Sequence, residues 1–92
     1  NDENIYQENI SHWTQNIKLL CNILYIKKNL NKFIELINND IPLTQMLCNI
    51  LQVTSIEENI EELYEYLKRD YPLSMMIVDM INNIKNDNKK YY

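Results

Sequence analysis

Apolar residues recur at steps of three and four along most of the chain, the spacing that puts them on one face of a helix. The first such segment runs from about Asn4 to Ile26, and its main apolar stripe consists of Ile10, Trp13, Ile17, Leu20 and Leu24. A second set widens that stripe and consists of Leu19, Ile23 and Ile26. We therefore predict a long first helix that is packed on two sides.

Four shorter amphipathic segments follow. The second predicted helix spans residues 30–38, and its inward residues are Leu30, Phe33, Ile34 and Ile37. The third spans about residues 42–53, and its inward residues are Leu43, Met46, Leu47, Ile50 and Leu51. Pro42 separates the two helices, because proline is favoured in the first turn of a helix.

The fourth predicted helix is capped by Thr54 or Ser55, since Ser55-x-x-Glu58 has the form of a capping box. Its inward residues are Ile56, Ile60, Leu63 and Leu67, and its outward residues are Glu57, Glu58, Glu61, Glu62 and Glu65. After a break at Asp70-Tyr71-Pro72, the last helix buries Leu73, Met76, Ile77, Met80, Ile81 and Ile84. The ordered part is predicted to span about residues 4–86, with a frayed polar tail at 87–92.

An internal repeat relates the last four helices. A shift of 30 residues places Asn29–Leu51 on Asn59–Ile81 without a gap, and Asp40 and Pro42 then coincide with Asp70 and Pro72. Each unit is a helical hairpin that cannot cover its own apolar face and must stack on a neighbour. The sequence thus predicts an all-α fold, a compact five-helix bundle in which a long first helix joins two HEAT-like hairpins.

Composition narrows the class of protein further. The 92 residues suit one domain, and the chain contains no glycine, which excludes glycine-rich nucleotide-binding loops. Asparagine and isoleucine are abundant, a bias typical of AT-rich coding genomes such as those of malaria-type apicomplexan parasites. Because the chain begins at Asn1 and not at methionine, we expect that it is excised from a longer protein.

Charge argues against nucleic acid as a partner. The net charge is -4, and the basic residues form only three pairs, Lys27-Lys28, Lys68-Arg69 and Lys89-Lys90. A nucleic-acid surface needs a larger basic cluster. The apolar runs are also shorter than the roughly 18 residues of a membrane-spanning helix, so we predict neither a nucleic-acid nor a membrane partner.

No arrangement of residues suggests catalysis, a metal site or a cofactor site, so we predict a protein that is not an enzyme. Cys21 and Cys48 lie in apolar segments and are expected to be buried thiols, with a disulfide between them as the alternative. His12 suits an exposed helix face. Three of the methionines are expected in the core, Met46, Met76 and Met80, whereas Met75 lies off the buried stripe.

The fourth and fifth predicted helices resemble a known family. The pattern Thr54-x-Ile56-x3-Ile60-x2-Leu63, preceded by Ile50-Leu51-Gln52, is similar to a helix of the N-terminal domain of transcription elongation factor S-II. Related domains occur in Elongin A, in a Mediator subunit and in the integrase-binding domain of LEDGF. The resemblance covers about residues 30–85, and the sequence departs from the family at Glu57 (usually glycine), at Ile84 (usually tryptophan) and in its glutamates, which replace basic residues.

The resemblance implies a five-helix nuclear module that docks short, disordered, acidic peptides containing an aromatic residue. In that family the binding groove lies at two interhelical turns. By position these turns supply the candidate site residues, which are Lys27, Lys28, Asn29, Tyr66, Lys68, Arg69 and Tyr71. A basic rim around tyrosines suits such a peptide.

Two alternatives stay open. One is the ACDC-type helical domain that accompanies the Apetala-type transcription factors of apicomplexan parasites, which fits the size and composition of the chain. The other is a structural fragment of a longer HEAT or armadillo scaffold. The fragment predicts an exposed apolar face and self-association of the isolated chain, whereas the first two hypotheses predict an intracellular monomer.

Overall fold

The computed structural model describes the backbone of residues 2–90 and the side chains of residues 14–84. Its five α-helices are α1 (Asp2–Lys28), α2 (Leu30–Asn39), α3 (Ile41–Leu51), α4 (Ile60–Leu67) and α5 (Tyr71–Lys90). A 3₁₀ turn at Glu57–Asn59 precedes α4. The described part of the chain contains no strand, and the predicted all-α five-helix bundle is confirmed.

One contiguous core holds the five helices together. It draws on α1, on the residue before the 3₁₀ turn and on both hairpins, and its fully buried large side chains are Ile26, Phe33, Leu47, Ile56, Leu63, Leu67, Ile77 and Ile81. Each hairpin contributes one apolar face, and α1 packs across α2, α4 and α5. Full burial of such side chains contributes roughly 1.5–3 kcal/mol each.

The buried face of α1 is not the one that the main apolar stripe predicts. Leu19, Ile23 and Ile26 are at most 6% exposed, so the set that was expected only to widen the stripe forms the contact with the core. Ile17, Leu20 and Leu24 are 40%, 53% and 65% exposed, respectively. The prediction that these three are buried is wrong, because the hairpins cover only one side of α1. The side chains of Ile10, His12 and Trp13 lie outside the described residues.

The hairpins bury fewer residues than the sequence predicts. Four of the expected core residues are more than a third exposed, Leu30, Met46, Ile50 and Met76. Leu36 is 7% exposed and Ser74 is fully buried, and the sequence did not assign either to the core. The buried stripes of α2, α3 and α5 are therefore narrower than predicted. In α2 the stripe includes Leu36 and leaves out Leu30.

The cysteines also differ from expectation. Both are free thiols, so the alternative of a disulfide between Cys21 and Cys48 is not realised. Cys48 is half-buried against the core, whereas Cys21 is exposed. The prediction of a buried thiol is thus wrong for Cys21, which lies beside the uncovered residues of α1.

The two hairpins repeat each other in structure. Helices α2 and α4 begin 30 residues apart, at Leu30 and Ile60, and so do α3 and α5. Asp40 Oδ1 accepts a hydrogen bond from the Leu43 backbone N–H at 3.0 Å, and Asp70 Oδ1 accepts the same bond from Leu73 at 3.0 Å. Each aspartate satisfies a free N–H group in the first turn of its helix.

The segment between the hairpins ends α3 with a left-handed residue that is not glycine. Gln52 has φ 55° and ψ 48°, and no other residue in the described backbone has a positive φ. Its N–H bonds back to carbonyl groups of the last turn of α3. Beyond it, Ser55 Oγ accepts from the Glu58 N–H at 3.4 Å within the 3₁₀ turn. The prediction that Thr54 or Ser55 caps the fourth helix is wrong, because α4 begins only at Ile60, after Asn59, whose side chain makes no capping hydrogen bond.

Polar contacts fix α1 against α5. Asn22 Nδ2 donates to Ser74 Oγ at 3.0 Å, and the Tyr25 hydroxyl donates to Asn82 Oδ1. Ser74 also donates to the Tyr71 carbonyl oxygen at 3.0 Å, which satisfies this fully buried hydroxyl. Since a buried polar group without a partner is costly, these bonds restrict how α1 can slide along α5.

The helical backbone of α5 continues to Lys90, past the predicted end of the ordered part at residue 86. Fraying of residues 87–92 stays a prediction, and residues 91 and 92 lie outside the described backbone. None of the helices described is long and apolar enough to cross a membrane.

Alanine substitutions on α1 test which face is buried. We expect Ile26→Ala to lower the free energy of unfolding by about 2–5 kcal/mol, because it opens a cavity in the core. The matched change Leu24→Ala is expected to cost less than about 0.5 kcal/mol, because that side chain is exposed. Urea denaturation of both variants measures the difference. Similar losses in both would contradict the orientation of α1.

The repeated caps give a second test. Asp40→Ala and Asp70→Ala should each lower the free energy of unfolding by about 1 kcal/mol, because each leaves a first-turn N–H without its acceptor. Asp40→Asn and Asp70→Asn are the controls, since asparagine retains the capping oxygen. Thermal denaturation followed by circular dichroism measures all four variants. Alanine variants as stable as the asparagine variants would contradict the capping role.

Candidate protein-interaction surfaces

The C-terminal end of α1 lies against α4. Lys27 Nζ is 4.8 Å from the centroid of the Tyr64 ring, a cation–π contact. Tyr64 is only 4% exposed, and this burial raises the pKa of its hydroxyl, with the nearby Glu61 as a second cause. The first predicted turn is thereby joined to the helix that leads into the second.

Lys68 forms an ion pair close to this contact. Its Nζ lies 2.9 Å from Glu65 Oε1, and both side chains are well exposed. The hydrogen bond and charge of Lys68 lower the pKa of Glu65, and Lys27 and Arg69 contribute further. The positive charge of Lys68 is therefore partly balanced within the chain.

Tyr66 and Arg69 form a second group. The Arg69 guanidinium carbon is 5.8 Å from the centroid of the Tyr66 ring, and the Tyr66 hydroxyl donates to Asp70 Oδ2 at 3.3 Å. The two residues line an open pocket together with Leu51 and the glutamates at 61, 62 and 65. This pocket has an aromatic and aliphatic floor within a mostly acidic rim.

The remaining candidate residues lie elsewhere. Tyr71 lines a different pocket together with Thr14, Gln15 and Lys18 of α1. Asn29 ends α1, and its side-chain amide donates to the Tyr25 carbonyl oxygen at 3.0 Å, while Lys28 is exposed. The structure thus brings Lys27 and Lys68 to one area around Tyr64, pairs Tyr66 with Arg69, and places Tyr71 in a separate pocket.

A further surface lies on α1 and was not predicted from the sequence. Ile17, Leu20 and Leu24 occupy successive turns of α1 and face away from the core. We call these three residues the outer stripe. The spacing of the outer stripe was visible in the sequence, but it was assigned to the core because a helix that is apolar on two sides gives no indication of which side is covered.

Comparison with known proteins adds no relative. No protein-family model matches the chain, and no curated protein or solved structure is significantly similar to it. The resemblance to the S-II domain therefore stays a prediction. Among the described side chains, no three of the types His, Cys, Asp and Glu are grouped so that they could hold a metal ion.

The pKa of Glu65 tests the geometry around Lys68. In an NMR pH titration the Glu65 carboxyl should titrate below the ordinary value of a glutamate, and Lys68→Gln should bring its pKa back up. Because folding lowers this pKa, the ion pair stabilises the fold at pH values above the unfolded pKa. That stabilisation is lost as the pH falls through the folded pKa. A Glu65 titration unchanged by Lys68→Gln would contradict the ion pair.

Proposed function

We propose that the chain is a non-catalytic protein-interaction module of transcription or chromatin regulation, acting in the nucleus as a monomer. Its ligand is a short, disordered, acidic peptide with an aromatic residue. The observation that carries this proposal is the contact of Lys27 with Tyr64, which holds the first turn implied by the S-II resemblance against α4, the helix that leads into the second turn. Lys28, Lys68 and Arg69 supply further positive charge next to it.

The charges of the site restrict how such a peptide binds. Its carboxylates fit against Lys27, Lys28 and Lys68, where they compete with Glu65. This exchange costs little, since the ion pair of Glu65 is exposed and solvent weakens such pairs. The glutamates around the Tyr66 pocket repel peptide carboxylates, so that pocket receives the aromatic side chain of the peptide.

Charge reversal at the turns tests the proposal. We expect the double variant Lys28→Glu and Lys68→Glu to weaken binding of a synthetic acidic, phenylalanine-containing peptide by at least about tenfold at low salt. Isothermal titration calorimetry measures the affinity. The variant should stay folded with only a small loss in melting temperature, because neither side chain belongs to the core and the lost ion pair with Glu65 is exposed.

A matched control distinguishes the effect of where the lysines lie from the effect of the net charge. The double variant Lys18→Glu and Lys32→Glu changes the net charge by the same amount, -2 for each substitution, but at residues outside the candidate site. It should bind the peptide much as the unchanged chain does. Equal losses in the two double variants would mean that net charge alone attracts the peptide and would count against the turn surface.

A fragment of a longer HEAT or armadillo scaffold is the second candidate function. Two observations favour it, the hairpins that begin 30 residues apart with the same aspartate caps and the outer stripe, whose residues are 40–65% exposed. In a solenoid, a terminal face of this kind stacks on the next repeat. Such a fragment would self-associate through the outer stripe, which sedimentation distinguishes from a monomer.

A further inference from the structure

The outer stripe has the spacing of a helix–helix seam. Ile17, Leu20 and Leu24 are separated by three and then four residues, the alternation of a and d positions in a heptad. In the sequence Ile10 and Trp13 continue the same spacing toward the N-terminus. Single exposed apolar residues are ordinary, but three in line on consecutive turns form a surface that a second helix can cover.

Within its own segment of the chain, the charges next to the outer stripe are of one sign. Residues 9–34 contain Lys18, Lys27, Lys28 and Lys32 and no carboxylate, although the chain as a whole carries a net charge of -4. Lys28 follows Leu24 by four residues and is exposed, so it lies on the same face at the C-terminal end of the seam. The surface is therefore apolar along its length and basic at its C-terminal end.

This combination decides between two possible occupants. In a seam between helices, charges at the flanking e and g positions set which partner is chosen. Two copies of α1 that pair through residues 14–28 would bring lysines together and no carboxylates, since this segment has none. A helix with glutamates or aspartates beside its apolar seam gains both burial and charge complementarity.

We propose that the outer stripe of α1 is a docking site for an acidic amphipathic helix of a partner protein. Leucine-like side chains of that helix pack between Ile17, Leu20 and Leu24, and its carboxylates lie near Lys28. This site shares Lys28 with the turn surface, but its three apolar residues are not part of that surface, and it rests on the proposed function only in that the chain binds protein. α3 also exposes an apolar pair, Met46 and Ile50, but no residue of α3 is charged, so nothing there specifies a partner.

Two synthetic helical peptides test the proposal. Each is about three heptads long with the same leucine seam, and the flanking positions carry glutamate in one peptide and lysine in the other. Fluorescence anisotropy with the full chain should show that the glutamate peptide binds at least about tenfold more tightly. Lys28→Glu should reduce or reverse this preference, whereas Lys68→Glu should leave it unchanged.

Substitutions in the seam supply the matched comparison. Leu24→Gln should weaken binding of the glutamate peptide at least about tenfold, and Ile41→Gln should not change it. Leu24 and Ile41 are 65% and 64% exposed, so the two changes remove apolar side chains of nearly equal accessibility from different helices. A Leu24→Gln chain should still bind the phenylalanine-containing peptide of the turn surface, which separates failure of one site from failure of the other.

Three results would overturn the docking site. One is equal affinity for the two helical peptides, or no saturation by the glutamate peptide. Another is a dimer of the unchanged chain in sedimentation equilibrium that Leu24→Gln dissociates, because the occupant would then be a second copy. The third is binding to vesicles of anionic phospholipid that Leu24→Gln abolishes while neither peptide binds, which would assign the stripe to a lipid surface.

Discussion

The fold depends on one packing interaction, the burial of the inner face of α1 against both hairpins. Ile23 and Ile26 belong to the core shared with α2, α4 and α5, and Leu19 is buried on the same face of α1. A helical hairpin cannot cover its own apolar face, and two stacked hairpins still leave one side open. The hydrogen bonds from Asn22 and Tyr25 to α5 then select one register for a contact whose energy is mostly non-directional.

Local chemistry made the hairpins predictable. The aspartate and proline at each turn act within a few residues of themselves, so the sequence showed where α3 and α5 begin. The orientation of α1 was not predictable in the same way. Both of its sides carry apolar residues at helical spacing, and only the arrangement of the other four helices decides that Ile26 is buried and Leu24 is not.

The candidate site was likewise only partly predictable from the sequence. The turns lie where the spacing placed them, but the directions of their side chains depend on packing between helices. Tyr64 became the centre of the basic group because α1 ends beside α4, and Tyr71 went to the opposite end of the contact with α1. The charges of α1 and α4 meet at this point, since Lys27 helps to lower the pKa of Glu65.

The left-handed backbone of Gln52 has a consequence for how the molecule tolerates change. A residue with a side chain in this conformation costs roughly 1–2 kcal/mol relative to one in the right-handed region. This strain lies in the segment that connects the two hairpins. Glycine or asparagine at position 52 would relieve this strain without changing the core, α1 or the turns. Gln52 is therefore a place where stability can rise while both recognition surfaces keep their shape.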